Sequence, residues 1–187
     1  MLPIEERWAR IGPTKESWLI HVPKAGLCLS AFVVVIDDDN KILLGQPKEH
    51  EAWPIAGGLP KFHSKQLEKE GVFILPATHL LMEESPDHAA RRITRKWVGY
   101  TDAEPSFREV QSHLRPSALW KSYLGEKRGL NHWDICFVYS MQARELPSKI
   151  KPWWSEMRFV PSSQISKLNI GRGHKDVLKE AGFLSRF

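Results

Sequence analysis

Apolar and polar positions first fall into order at LCLSAFVVVI (27–36), which is followed by Asp37, Asp38, Asp39 and Asn40 and then by ILLGQP (42–47). Apolar runs on both sides of a cluster of turn formers predict a strand, a turn and a second strand. At AWPIAGG (52–58) paired glycines follow an apolar approach, which predicts a sharp loop or a close backbone approach. Leu59 to Met82 mixes polar and apolar residues without a single period. ESPDHAARRITRKWVGY (84–100) then reads as a helix over about Pro86 to Val98. Ser85 suits the N-cap, Pro86 the first helical position and Asp87 the positive end of the dipole, and Gly99 lies just past the last turn.

Downstream, SFREVQSHL (106–114) and WDICFVYSMQA (133–143) predict strands, the second strongly so from its aromatic and β-branched content. WWSEMRFVP (153–161) predicts another short strand, and residues 162–184 predict two short helices broken at Gly171 and Gly173. Strands around isolated helices, without regular βα alternation, point to an α/β or α+β sandwich: a mixed sheet packed between helices. No internal repeat or low-complexity tract interrupts this order.

Composition narrows the class. The chain has 187 residues, 42% hydrophobic and 26% charged, which suits one domain with a substantial core better than two. No apolar stretch is long enough for a transmembrane helix, and the N-terminus lacks the pattern of a signal peptide, so no membrane is expected and the cytoplasm is the expected compartment. Cys28 and Cys136 each sit in an apolar run, where a thiol acts as a small buried hydrophobe. The net charge of +5 admits an anionic partner. A modest excess of that kind ordinarily serves solubility, so nucleic acid is not the expected partner. Nothing in the sequence speaks to oligomeric state.

From Gly26 to Leu168 the chain resembles the Nudix hydrolase superfamily. That signature reads Gly, five residues, Glu, seven residues, Arg-Glu, an apolar residue, any residue, Glu-Glu, any residue, Gly, and an apolar residue. Glu84 takes the first glutamate position, Arg92 the arginine, and Gly99 and Tyr100 close the pattern. AWPIAGG resembles the family's Trp-x-Leu-Pro-Gly-Gly approach, AFVVVIDDDNKILLGQ its first strand pair, WDICFVYSM a later core strand and SEMRFVPSSQI its late Glu-x-x-Trp-Val segment. The resemblance implies residues 1–25 as an arm packing on a domain at 26–187. With Gly57 and Gly58 as the loop glycines, the step to Glu84 is 84 − 58 = 26 rather than 6, which implies an insertion of 26 − 6 = 20 residues inside the signature, at about 59–82.

Family hydrolases cleave a diphosphate linked to another group by aiming water at a phosphorus held by Mg2+ or Mn2+, ions that require clustered oxygen ligands. At the three usual glutamate positions this chain has Ile93, Lys96 and Trp97. An alkyl group cannot ligate, an indole only donates, and an ammonium repels the ion. No metal site is therefore expected there. Glu84, Arg92 and the glycines 57, 58 and 99 retain an architectural part, with Glu84 and Arg92 bracing loop against helix.

The expected function is thus a non-catalytic or weakly active Nudix domain that binds a nucleotide-like or other phosphorylated ligand, with Arg92, Lys96 and Trp97 as binding residues and no cofactor. Two alternatives stand. In one, relocated carboxylates among Glu68, Glu70, Glu83 and Glu84 rebuild a magnesium or manganese site and the domain hydrolyses nucleoside diphosphate-linked compounds; in the other, the domain contacts a protein. Whether the chain is an enzyme stays open. Ile93 and Trp97, with Ala89, also form an apolar stripe suited to core packing, and Lys96 reads equally as a solvated charge or a pocket cation. The histidines do not fall at metal-ligand spacing, and Trp120, Trp133, Trp153 and Trp154 suit a core as well as a base-stacking pocket.

Overall fold

The computed structural model describes residues 10–11, 27–50, 67–102, 104–117, 130–171 and 173–184. Seven strands make one sheet: β1 Arg10–Ile11, β2 Leu27–Ile36, β3 Ile42–Pro47, β4 Ala77–His79, β5 Ser106–Ser117, β6 Leu130–Gln142 and β7 Trp154–Val160. Helix α1, Pro86–Arg92, continues directly into a π-wound segment, Ile93–Val98; α2 is Ser162–Ile165 and α3 is His174–Glu180. Among the described residues, no helix is long and apolar enough to cross a membrane.

The main path of the sheet runs β5-β6-β2-β3-β7. It is mixed: β2 lies parallel to β6 from Leu27↔Trp133 to Ile36↔Gln142, whereas β5–β6 and β3–β7 are antiparallel. Ala31, Val33 and Val35 of β2 enter one core with Ala89, Ala90, Ile93 and Trp97, while Phe32 and Val34 enter a second with Ile165, Val177 and Leu178. Burial on both faces explains why β2 is apolar throughout instead of alternating. The expected sandwich of a mixed sheet between helices is the architecture found.

The turn after β2 is built by Asp37, whose Oδ1 accepts the N–H groups of Asp39 (3.0 Å) and Lys41 (2.7 Å). Asn40 takes the left-handed conformation the turn needs, φ 60°, which its short polar side chain tolerates.

Beyond the turn, β2 and β3 diverge, with a single register pair at Ile36↔Ile42. Residues 72–80 fill the gap as a wedge. On one side Val33 N donates to Pro76 O (2.9 Å), Leu80 N to Leu29 O (2.9 Å), and β4 pairs with Ser30, Ala31 and Phe32. On the other, Gly45 and Ile74 exchange N–H···O bonds of 3.0 and 2.8 Å, and Phe73 N donates to Asn169 O at 2.8 Å. Val72, Phe73, Ile74, Leu75 and Leu80 are all buried. Residues 72–80, within the expected insertion at 59–82, thus pack into the core and bond to the sheet. Gly57, Gly58 and Trp53 lie outside the described residues, as does the arm at 1–25 apart from β1, which pairs with the start of β2.

The expected α-helix over Pro86–Val98 is also revised, because its second half is π-wound. Buried residues come in pairs four apart, Ala89/Ala90, Ile93/Thr94 and Trp97/Val98, a period wider than the α-helical 3.6. Widening the turns keeps all three pairs on the sheet, and Gly99 N donates five residues back to Thr94 O at 2.8 Å. Gly99 closes the segment at φ 111°, the left-handed conformation that favours glycine.

Helix α3 is anchored to the wedge by His174, 3% exposed, whose Nδ1 accepts the Leu75 N–H at 2.9 Å while its ring meets Phe32 edge-on. His174→Ala should therefore cost about 1–3 kcal/mol, the penalty for a buried donor left without its acceptor. Urea unfolding measures this; equal midpoints for variant and wild type would show that the anchor carries no stability.

Candidate functional site

The signature region is built from its N-terminal side. Ser85 Oγ accepts His88 N at 3.2 Å, Pro86 starts α1, and Asp87 supplies first-turn negative charge. Just before the cap, Glu84 meets Arg92 in a two-pronged ion pair: Nε to Oε1 and Nη2 to Oε2, both 2.7 Å. Both side chains are 11% exposed. Glu84 Oε2 also accepts Leu81 N at 2.9 Å, and Arg92 Nη2 also donates to His79 O at 2.9 Å. One ion pair thus ties the end of β4, the loop and the last residue of α1 together.

The step from Thr78, in β4, to Glu84 is 84 − 78 = 6, the same step as between the glycine and first glutamate of the Nudix signature, so the sequence also admits a register without a gap, with Leu75-Pro76-Ala77-Thr78 in place of Leu-Pro-Gly-Gly.

At the three metal-ligand positions, side chains diverge. Ile93 is 0% and Trp97 1% exposed, whereas Lys96 is exposed. Trp97 packs beside Trp153 with ring centroids 5.8 Å apart, and its carbonyl accepts both the Trp153 Nε1–H (3.1 Å) and the Trp154 Nε1–H (3.0 Å). Trp154 lies so close to Gly45 that a Cβ there would come within 2.6 Å of its ring. Indoles and aliphatic groups fill this side of the helix. An indole buried to this extent has no face to offer a base, so Trp97 takes the packing role of its two expected ones. Arg92 is engaged with Glu84 and His79, which leaves Lys96 as the member of the expected binding set with its charge in solvent.

Neighbouring charges are mostly matched. Glu104 accepts Arg91 Nε and Arg95 Nη2, each at 2.7 Å. Of the carboxylates considered for a relocated ion site, Glu68 Oε2 accepts Glu49 N at 2.9 Å and Glu84 holds Arg92, while Glu83 is exposed at a left-handed φ of 62°. The backbone beside Glu70 accepts Asn169 Nδ2 at 3.2 Å. No three His, Cys, Asp or Glu side chains among the described residues gather into a group able to hold a metal ion.

Structural comparison supplies the class. The chain superposes on the MutT protein of Methanosarcina mazei Go1 with a TM-score of 0.56 at 13% identity, over 87% of this chain and 95% of that one. It superposes on the Nudix domain of Shewanella oneidensis NrtR, solved with ADP ribose, with a TM-score of 0.53 at 17% identity, over 90% and 97%. The E. coli dihydroneopterin triphosphate pyrophosphohydrolase gives a TM-score of 0.56 at 10% identity, over 81% and 92%. Neither a protein-family model nor a curated protein matches the sequence. The chain has the Nudix fold; identities this low speak for the fold alone.

Burial, the largest single influence, raises the Glu84 carboxyl, but the Arg92 hydrogen bond, the Leu81 N–H and the Arg92 charge together hold it below the ordinary glutamate value. A lowered value in the folded state gives stability that is present above the unfolded value and is lost as pH falls through the folded one. Glu84→Gln should therefore destabilise the domain by about 2 kcal/mol at neutral pH, toward the low side for breaking a buried pair. The gap from wild type should shrink below the ordinary value of 4.5. Unfolding series at several pH values test this, and a gap independent of pH would remove the ion pair as its source.

Proposed function

We propose that this is a Nudix-fold domain without the metal-dependent reaction, one that binds a nucleotide-like or other phosphorylated ligand. The observation that carries the reading is the burial of Ile93 and Trp97, 0% and 1% exposed, at positions where the family chemistry needs carboxylates in a cleft. Hard divalent ions take oxygen ligands in numbers. Here the helix offers an alkyl group, an ammonium and an indole whose own carbonyl already accepts two indole donors. These residues do not fit magnesium or manganese, so no step of a hydrolysis is routed through such an ion.

Ligand binding is supported by Lys96, exposed and without a carboxylate partner among the described residues. The NrtR domain, of similar fold, was solved with ADP ribose, a nucleotide-like diphosphate. A cytoplasmic setting accords with Cys28 and Cys136 as buried cysteines outside any disulfide among the described residues. The protein-contact reading has its own observation: Phe107 and Val110, each 53% exposed, stand on the outermost strand β5.

Titration calorimetry of the full chain against ADP-ribose and a panel of nucleoside diphosphates, with magnesium and then with chelator, tests the proposal. Binding should occur in both conditions, and phosphate release should stay at background. Chelator-sensitive turnover by purified protein would overturn it in favour of relocated carboxylates, and silence across the whole panel would favour the protein-contact reading.

A further inference from the structure

We propose that Lys149 and Lys151 join Lys96 in a lysine collar at the end of the signature helix, and that this collar holds the ligand's diphosphate directly, in place of divalent ions. This rests on the reading of the domain as a binder of phosphorylated ligands and assigns that binding to particular cations.

The loop between β6 and β7 is fastened onto the helix end at two points. Tyr100 OH donates to Glu145 O at 2.6 Å, and burial pushes its ionisation up to about 12, so the hydroxyl stays a donor at physiological pH. Further along, the Trp153 and Trp154 Nε1–H groups both donate to Trp97 O, at 3.1 and 3.0 Å. Residues 146–152 are held between these fastenings. Gly99 admits them closely: a Cβ there would lie 3.4 Å from Lys151 Cε, 3.4 Å from Pro147 Cβ and 3.5 Å from Lys149 O. The backbone of Lys149 and the side-chain stem of Lys151 thereby lie against Gly99, three residues beyond Lys96.

Two further observations bear on the collar, although Lys69, Lys167 and Lys179 also form no ion pair among the described residues. Arg91 and Arg95 are matched by Glu104, Arg92 by Glu84, Lys41 by Asp39 and Arg158 by Glu156. Lys96, Lys149 and Lys151 form no ion pair among the described residues. Nor does the helix end need them as caps at the carbonyls that face the loop, because Thr94 O takes the Gly99 and Tyr100 N–H groups and Trp97 O takes the two indoles. Like charges collected at one place repel, and an anion shared among them relieves that repulsion. A diphosphate carries the required charge in compact form, and lysine binds phosphate as a point charge without needing a fixed fork geometry.

The test uses inorganic pyrophosphate as probe, the intact chain, and calorimetry in chelator at low and high salt. Wild type should bind without metal and more weakly at high salt. Lys149→Gln with Lys151→Gln should weaken binding by about tenfold or more, as loss of charge-assisted contacts does. Both positions are on the surface loop, and an unchanged thermal melt confirms that the double variant folds. Wild-type affinity in that variant, with Lys96→Glu weakened, overturns the collar and leaves the proposed ligand class standing. Nucleotide binding without pyrophosphate binding also overturns the collar alone. Pyrophosphate binding that requires magnesium overturns the collar and the metal-free function together.

Discussion

Strand β2 imposes the constraint on which the rest depends. One edge is committed to β6 over its whole length, and the other loses β3 almost at once, leaving backbone donors and acceptors inside a dry core. Residues 72–80 satisfy them. Because Val33 N, Leu29 O and the Gly45 pair fix this wedge in register, His79 O emerges where Arg92 can reach it, and Glu84 falls beside the same guanidinium. Position and tilt of α1 follow from sheet pairing, with the ion pair as the link between them.

Much of this was legible. The β2–β3 unit announces itself through Asp37 to Asn40, whose turn chemistry is local, and the start of α1 through Ser85-Pro86-Asp87, whose capping is equally local. The wedge was not, because its marker is a contact between distant segments. Ile74 pairs with Gly45 and Leu75 with His174, partners that nothing at 72–75 reveals. Glycines carry strong local meaning, so Gly57-Gly58 outweighed the six-residue step from Thr78 to Glu84. A threonine can stand there because β4 is extended strand, paired with Ala31, and needs no left-handed backbone. The π-winding was half visible in apolar pairs four apart, but that pattern takes meaning only once the sheet beneath it is known. The approach of Lys149 and Lys151 to Gly99 escaped notice for the same reason: it passes through a loop closed by Tyr100, Trp153 and Trp154.

Architecture and chemistry part company at residue-level resolution here. Glu84 and Arg92 keep their places because they satisfy each other and two backbone groups in a confined setting, a role independent of any ligand. Ile93, Lys96 and Trp97 stand where the resemblance expects the family's metal-binding glutamates, and burial divides them. Ile93 and Trp97 are part of the core, while Lys96 is exposed.

That division also decides what glutamates placed at these positions would meet. Glutamates returned at 93 and 97 would enter a region closed by Trp153 and Trp154, the latter lying against Gly45 without room for a methyl between them. An isolated carboxylate in such surroundings is costly unless it is paired or neutralised, and it answers desolvation by taking up a proton. A protonated acid is a poor ligand for a hard cation. An ion site there would therefore require removing the indoles as well as introducing the acids, and losing both indoles would take two donors from the Trp97 carbonyl and loosen the β6–β7 loop. The packing of the helix and the placement of the loop are thus coupled through one carbonyl oxygen: the tryptophans that pack against the buried side of the helix also fasten the β6–β7 loop to its end.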